Sequence, residues 1–125
     1  GYFIGSPGMN LLPCAVEDGA VVVEGQRLAL DEGVCARART AGGELQLGIR
    51  PEFLRRVPEG TPSSVRVEVT QVEDLGRHKL ATARLGTRTL KVRLPEDERV
   101  APGETCWLEL PPPWTTLYAA GRAVS

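Results

Sequence analysis

The stretch "SVRVEVTQVED", residues 64–74, alternates apolar and polar side chains with a period of two. This pattern is typical of a β-strand that buries one face. If the alternation continued, however, Gln71 would lie on the apolar face and Val72 on the polar face. One extra residue near Thr70-Gln71 would restore both faces, so the sequence predicts a β-bulge there.

Three further segments show the same alternation, at residues 44–50, 89–94 and 105–110. Turn signals rich in Gly, Pro and Asp separate the apolar runs at short intervals. This spacing is typical of a small barrel or sandwich, and it predicts an all-β domain of about eight to ten short, mainly antiparallel strands. The one helical piece predicted is a turn or two at residues 51–56, with Pro51 at the first helical position.

Length and charge narrow the class of protein. A chain of 125 residues fits one domain that is large enough to bury a core. With 15 basic and 16 acidic residues the formal net charge is -1, which argues against a nucleic-acid partner. No apolar run reaches the roughly 18 residues that span a bilayer, and no signal peptide is recognisable. The sequence therefore predicts a cytoplasmic protein.

The reactive side chains form no recognisable centre. Cys14, Cys35 and Cys106 match neither a zinc-site spacing nor a disulfide framework, so we expect reduced, packed thiols. His78 is the only histidine and is expected to be a solvated strand residue. The chain contains no GxxxxGK[ST], GxGxxG, HExxH or GxSxG motif. The sequence thus predicts no enzymatic activity and no catalytic, cofactor-binding or metal-binding residue in this chain.

Four segments carry a family resemblance. The segment "FIGSPGMNLLP" (3–13) resembles the junction that follows the ATPase domain in the ATP-binding subunits of carbohydrate-type ABC importers. Two others, "LGIRPEFL" (47–54) and "VTQVEDLGRHKLATARLG" (69–86), are similar to the C-terminal transport-associated OB-like (TOBE) domain of those subunits. The last, "PGETCWLELPPPWTTLYAAGRAV" (102–124), resembles its closing strand and hairpin. Phe53 stands where the family's turn usually carries His.

The resemblance implies an OB-like fold and an accessory, regulatory role in ATPase dimerisation and control. The implied parent would import a sugar, polyol or glycerol phosphate. Residues 1–9 would be the junction from a nucleotide-binding domain, with Gly1–Gly5 as a helix tail, and residues 10–125 would be the TOBE domain. ATP and magnesium would bind in that other domain. The implied partners are the parent's own ATPase domain, a homodimer mate, inner-membrane permease subunits and a regulatory protein, with the complex at the cytoplasmic side of the inner membrane.

Two alternatives remain. A small-ligand or oxyanion-binding domain is one, since related OB-like domains in oxyanion importers bind molybdate or tungstate. Such a site needs converging amides and small polar side chains, and the candidates Ser6, Ser63, Ser64 and Thr87 form no visible constellation. An OB-fold nucleic-acid binder is the other, but it needs a basic groove with stacking aromatics.

The segment Arg50-Pro51-Glu52 has two interpretations. Arg50 can finish a strand, Pro51 can begin a helical turn and Glu52 can complement the turn's N-terminal dipole. The same three residues are also candidates for an interface with another domain or chain.

Aromatic residues concentrate near the end of the chain, at Trp107, Trp114 and Tyr118. Alternation places Trp107 on the polar face of its strand, where a large apolar ring is out of place. Contact with another chain and a cover from the chain's own C-terminal hairpin both account for this position. All three aromatics are candidates for a self-association surface.

Overall fold

Residues 8–124, which the computed structural model describes, contain one α-helix and twelve β-strands. The strands are β1 (Asn10–Pro13), β2 (Ala15–Glu17), β3 (Ala20–Val23), β4 (Gln26–Leu28), β5 (Leu45–Ile49), β6 (Arg55–Val57), β7 (Ser64–Asp74), β8 (His78–Leu85), β9 (Arg88–Pro95), β10 (Thr105–Glu109), β11 (Thr116–Ala119) and β12 (Arg122–Ala123). The helix α1 spans Glu32–Ala41, and two short 3-10 turns span Pro51–Phe53 and Pro112–Trp114. We call these the RPE turn and the PPW turn. The helix tail expected at Gly1–Gly5 lies outside the described residues.

The strands form three sheets. The largest has the order β6-β10-β7-β8-β9, a second has the order β1-β5-β11-β12, and a third contains β2-β3-β4. All strand pairs in residues 8–124 are antiparallel. The largest sheet curls into a half-barrel, which confirms the expected all-β, OB-like fold. The strand number exceeds the eight to ten expected because several strands have only two to four residues.

The predicted β-bulge is present in β7. The pairing of β7 with β8 passes from Val69 opposite Ala83 to Gln71 opposite Thr82, so Thr70 has no partner of its own. Gln71 is therefore exposed while Val72 is half-buried. The extra residue lets the strand keep its apolar face inward on both sides of the break.

The alternating residues form the core. Side chains from the apolar faces of β7, β9 and β10 are all buried: Val65, Val67, Val69, Leu90, Val92, Leu94, Cys106 and Leu108. Each large apolar side chain buried in this way contributes about 1.5–3 kcal/mol to folding. The curled sheet thus surrounds one continuous core, to which α1 adds Cys35 and Ala38.

Two side-chain amides join the small sheets to the large one. Asn10 of β1 donates from Nδ2 to the carbonyl oxygen of Lys91 and accepts from its N–H through Oδ1, both at 2.8 Å. Gln26 of β4 makes the same pair of bonds with Arg66, at 3.0 and 2.7 Å. Each amide imitates one residue of a neighbouring strand and satisfies backbone groups that β9 and β7 leave unpaired. We call these contacts the amide clamps.

The helix α1 was not predicted, and the expectation of a single helical piece at residues 51–56 was wrong. Asp31 caps the helix, because its Oδ1 accepts from the N–H groups of Gly33 at 2.6 Å and Val34 at 3.2 Å. The two fully buried residues of α1 are small, Cys35 and Ala38, so its apolar stripe is weak in the sequence. Within residues 8–124, no helix is both long and apolar enough to cross a membrane.

The helical piece at residues 51–56 is shorter than expected. Pro51 does start it, but the RPE turn ends at Phe53, and Arg55 already belongs to β6. Leu54, between them, is extended and 3% exposed, so the turn is ended by a residue that enters the core. The strand β6 then pairs with β10 at the edge of the large sheet.

Candidate interaction surface

The RPE turn connects β5 to β6. Arg50 has an extended backbone, and its carbonyl oxygen accepts a hydrogen bond of 3.0 Å from the N–H of Phe53. Pro51 fixes the first position of the turn, and Glu52 lies in that first turn with its side chain exposed. The conformational role expected for Pro51 is confirmed by this geometry. An interface role for the three residues stays a prediction.

The two proline-led turns meet through their aromatic side chains. The rings of Phe53 and Trp114 are stacked, with centroids 4.4 Å apart and an interplanar angle of 10°. The PPW turn is held by a hydrogen bond of 2.9 Å from the N–H of Trp114 to the Pro111 carbonyl and by a bond of 2.9 Å from the Thr115 hydroxyl to the same oxygen. Stacked aromatic pairs contribute about 0.5–1.5 kcal/mol beyond the area they bury. We call Phe53 and Trp114 the aromatic pair.

The stacking of Phe53 against Trp114 was not predicted from the sequence. The signal available was that both turns read Pro-x-aromatic, "PEF" at 51–53 and "PPW" at 112–114. Phe53 and Trp114 are each the third residue of a proline-led 3-10 turn, so the two rings leave equivalent positions of the two turns. Phe53 therefore has a structural partner in this chain.

Trp114 remains largely accessible although it is stacked. It is 55% exposed, and Leu75 is the other large apolar side chain in residues 8–124 that is clearly exposed. A shallow groove of about 250 Å³ lies beside the ring, lined by Glu52, Phe53, Arg55, Pro111 and Trp114. The structure thus brings two of the predicted interface residues, Glu52 and Trp114, to one groove together with Phe53.

Trp107 lies elsewhere, in the middle of the large sheet. It is opposite Val57 on β6 and Arg66 on β7, and it is half-buried on the face opposite Cys106 and Leu108. The predicted orientation of its side chain is therefore confirmed. The C-terminal hairpin of β11 and β12 pairs with β5 in a different sheet, so it does not extend the ladder that contains Trp107.

Tyr118 is buried in its own chain, with 8% of its surface exposed. Its hydroxyl group lies 3.6 Å from the sulfur of Met9, and its ring covers Gly48. A Cβ at position 48 would lie 2.8 Å from both Met9 Sδ and Tyr118 Cε2, so a larger residue there would displace the ring or the Met9 side chain. Tyr118, a candidate for the self-association surface, thus packs within its own chain, and an interface role for it stays a prediction.

The small polar residues considered for an oxyanion site do not converge. Ser63 donates to the carbonyl of Ala29 at 2.7 Å, and Ser64 donates to the carbonyl of Thr61. Thr87 donates from its N–H and its hydroxyl to Glu24, at 2.6 and 2.7 Å. These groups are occupied within the chain, and Ser6 lies outside the described residues.

The cysteines behave as packed thiols. All three are free; Cys35 and Cys106 are buried and Cys14 is half-buried. Burial raises the pKa of the Cys14 thiol to about 11, with a smaller contribution from the neighbouring Cys35. Burial is also the main cause that raises the pKa of Cys35 and of Cys106. Thiols with raised pKa values are protonated at neutral pH and are poor nucleophiles.

His78 lies on β8 as expected but is half-buried rather than solvated. Its Nδ1 is closed off from solvent and has no hydrogen-bond partner among the described residues. Across residues 8–124 no three His, Cys, Asp or Glu side chains are grouped so that they could hold a metal ion.

Comparison with known sequences places these features in a family. The profile of the MalK OB fold domain matches residues 5–54, and the profile of the TOBE domain matches residues 47–117. The sn-glycerol-3-phosphate import ATP-binding protein UgpC of Salmonella paratyphi A is 41% identical over 115 residues, and UgpC of Escherichia coli O157:H7 is 39% identical over 114 residues. Each match covers 87% of this chain, and the chain spans about 30% of the length of these curated relatives.

A solved structure supports the fold independently. The cytoplasmic molybdate-binding protein ModG, crystallised with molybdate bound, superposes with a TM-score of 0.69 and covers 88% of this chain and 95% of its own. At 12% sequence identity this likeness establishes a shared fold. The TOBE domain profile, in contrast, matches more than half of the sequence, from β5 through the PPW turn and into β11. This chain belongs to the TOBE domain family.

Proposed function

We propose that this chain is the C-terminal accessory and regulatory domain of the ATP-binding subunit of an ABC importer, and that the parent imports a sugar, polyol or glycerol phosphate. The observation that carries the proposal is the identity of 39–41% with sn-glycerol-3-phosphate import ATP-binding proteins across 87% of the chain. The two family profiles support it because they follow one another along the sequence and overlap only at residues 47–54.

In this proposal the chemistry of transport lies outside the chain. ATP and magnesium bind in a nucleotide-binding domain that precedes residues 1–9, and residues 10–125 form the regulatory domain. The partners are that ATPase domain, a homodimer mate, permease subunits in the inner membrane and a regulatory protein. The complex lies at the cytoplasmic side of that membrane. This chain has no glycine-rich loop followed by lysine that could cradle phosphates, so we expect no micromolar binding when magnesium-ATP is titrated into it in a calorimeter.

The aromatic pair and the RPE turn are the surface that we assign to contacts with the rest of the parent. Trp114 and Glu52 border one groove, and Arg50 and Pro51 set the direction in which the turn leaves β5. Exposed tryptophan is enriched at the centre of protein interfaces and depleted elsewhere on surfaces. This surface is small, so it supports a contact that depends on the rest of the parent for most of its stability.

A chimera tests the proposed function. This chain would replace the matching C-terminal segment of UgpC from Escherichia coli O157:H7, and assembly with the permease subunits and uptake of sn-glycerol-3-phosphate would be measured. We expect assembly and uptake above those of a control that carries an unrelated β domain of similar size. A chimera that is folded and abundant but fails to assemble would contradict the proposal.

A further inference from the structure

We propose that an arginine-lined cleft beside the RPE turn binds a small multivalent oxyanion of the phosphate class. The cleft has a volume of about 680 Å³ and lies where the start of β8 meets the end of β9. Arg55, Arg77, His78 and Arg93 line it, together with Glu52 and Glu98. The volume is within the range of about 300–1,000 Å³ that small-molecule sites occupy.

The arginines of the cleft differ in whether their guanidinium groups are ion-paired within the chain. Arg56, which also lines the cleft, is paired with Glu98 at 3.2 Å and with Glu104, and it donates to the carbonyl of Arg99 at 2.8 Å. Arg56 is shared by two carboxylates, and Lys79, whose Nζ donates to the backbone carbonyl of Glu98 at 2.6 Å, brings a second positive charge to this group. This network fixes one wall of the cleft without adding net charge to it.

The other three arginines of the cleft make no ion pair with another described residue. Within residues 8–124, Arg55, Arg77 and Arg93 have neither an ion pair nor a side-chain hydrogen bond. The one lining carboxylate outside the Arg56 network is Glu52. Three guanidinium groups thus face one carboxylate in a protein whose formal net charge is -1, so the positive potential is local to this cleft.

His78 supplies a second, independent observation. Its Nδ1 is buried without a partner among the described residues, which is uncommon for a polar atom in a folded protein. With Nδ1 enclosed, Nε2 is the ring nitrogen left to contact a ligand in the cleft. The imidazole thus adds a hydrogen-bonding group to the arginines that line the cleft.

This set of donors fits an oxyanion. A guanidinium group binds phosphate with two parallel N–H···O bonds, and three such groups with an imidazole match the several oxygens of a phosphate or sulfate group. An acidic peptide fits less well, because Glu52 lines the cleft and the exposed Glu96 and Asp97 directly follow the lining residue Pro95. A compact anion avoids these carboxylates.

Nuclear magnetic resonance of the full 125-residue chain tests the inference. His78 is the only histidine, so its ring signals are assigned without ambiguity. Inorganic phosphate would be titrated against sodium chloride at constant pH and ionic strength. We expect saturable shifts of the His78 ring and of the Arg77 and Arg93 backbone amides with phosphate, and none that saturate with chloride.

Single substitutions then identify the site. Arg93→Gln and Arg77→Gln should each weaken phosphate binding about tenfold, because each removes a charge-assisted pair of hydrogen bonds. The matched control is Arg88→Gln, which removes the same charge from the opposite end of β9 and should change the affinity less than about twofold. Both lining arginines are exposed, so their variants should retain the wild-type amide spectrum, and either one suffices if the other fails to fold.

Four results would overturn the inference: phosphate shifts that stay linear, an equal response to chloride, an equal loss in Arg88→Gln, or tighter binding of a hexaglutamate peptide that displaces phosphate. The last result would make the cleft a peptide site. None of these outcomes depends on the parent being a transporter, so the inference stands or falls separately from the proposed function.

Discussion

Asn10 and Gln26 make the same two hydrogen bonds in different surroundings. Asn10 is 8% exposed, whereas the bonds of Gln26 to Arg66 are open to solvent. Water can replace a lost partner at the second site more readily than at the first. The two amide clamps therefore form a matched pair for measuring what burial adds to a hydrogen bond.

We expect Asn10→Leu to lower the free energy of unfolding by about 1–3 kcal/mol, because it leaves the backbone N–H and carbonyl of Lys91 without hydrogen-bond partners. Gln26→Leu should cost less than about 1 kcal/mol, since water can hydrate the Arg66 backbone. Urea denaturation followed by circular dichroism measures both values. Equal losses of stability in the two variants would mean that burial does not change what these hydrogen bonds contribute.

Glu24 ties the turn between β3 and β4 to the turn between β8 and β9. Its carboxylate accepts two hydrogen bonds from Thr87, the backbone N–H being the larger influence, and these bonds lower the pKa of Glu24 from its ordinary value of 4.5. A Cβ at Gly86, where φ is +60°, would collide with the same side chain. The contact is thus specific in shape although it is exposed.

The lowered pKa sets the sign of a pH effect. Since the carboxylate is favoured more strongly in the folded chain, its contribution to stability is complete above pH 4.5 and is lost as the pH falls through the lower, folded value. Glu24→Gln should therefore be less stable than the wild type at pH 7, and the difference should shrink at pH 3.5. Glu96→Gln removes an exposed carboxylate elsewhere and serves as the control. A difference between wild type and Glu24→Gln that does not change with pH would contradict this.

At the scale of elements, the main strands could be predicted from the sequence pattern, whereas the helix α1 could not. Period-two alternation predicted β5, β9 and β10, because a strand with one buried face has an apolar residue at every second position. The break in this alternation predicted the bulge. The helix α1 buries only small side chains and so leaves a faint mark. The aromatic pair depends on two turns distant in sequence, and the arginine cleft depends on three elements, so neither pairing could be derived from local patterns.

The bulge gives an element-scale prediction. Deleting Thr70 joins Val69 directly to Gln71 and leaves every other side chain of β7 on its present face. Deleting Glu68 instead turns Val69, which is 2% exposed, toward solvent and turns Thr70 inward. We therefore expect the Glu68 deletion to cost about 2 kcal/mol more than the Thr70 deletion in urea denaturation. Similar losses would show that the extra residue itself, through the added twist, is needed for the sheet to curl.

At the scale of the whole molecule, the RPE turn separates two surfaces. Glu52 borders both the arginine cleft and the groove beside Trp114, while Phe53 supports the tryptophan ring. An anion in the cleft and a protein at the aromatic pair would thus touch neighbouring residues of one turn. Within residues 8–124, the chain passes between the four-stranded and the five-stranded sheets at this turn, from β5 to β6, and again at the PPW turn, from β10 to β11.

The exposed aromatic pair predicts weak self-association of the chain, with a second copy as the partner. Leaving a large apolar ring in water costs something like 1.5–3 kcal/mol, and Trp114 is 55% exposed. A contact of this size lies at the low end of specific interfaces, so dissociation should fall in the micromolar range or weaker. Sedimentation equilibrium should show Trp114→Ser weakening association at least about tenfold and Trp107→Ser, on a half-buried ring, weakening it less. A chain that is monomeric at every concentration, or a dimer that neither substitution affects, would contradict the prediction and leave the aromatic pair a packing contact between two turns.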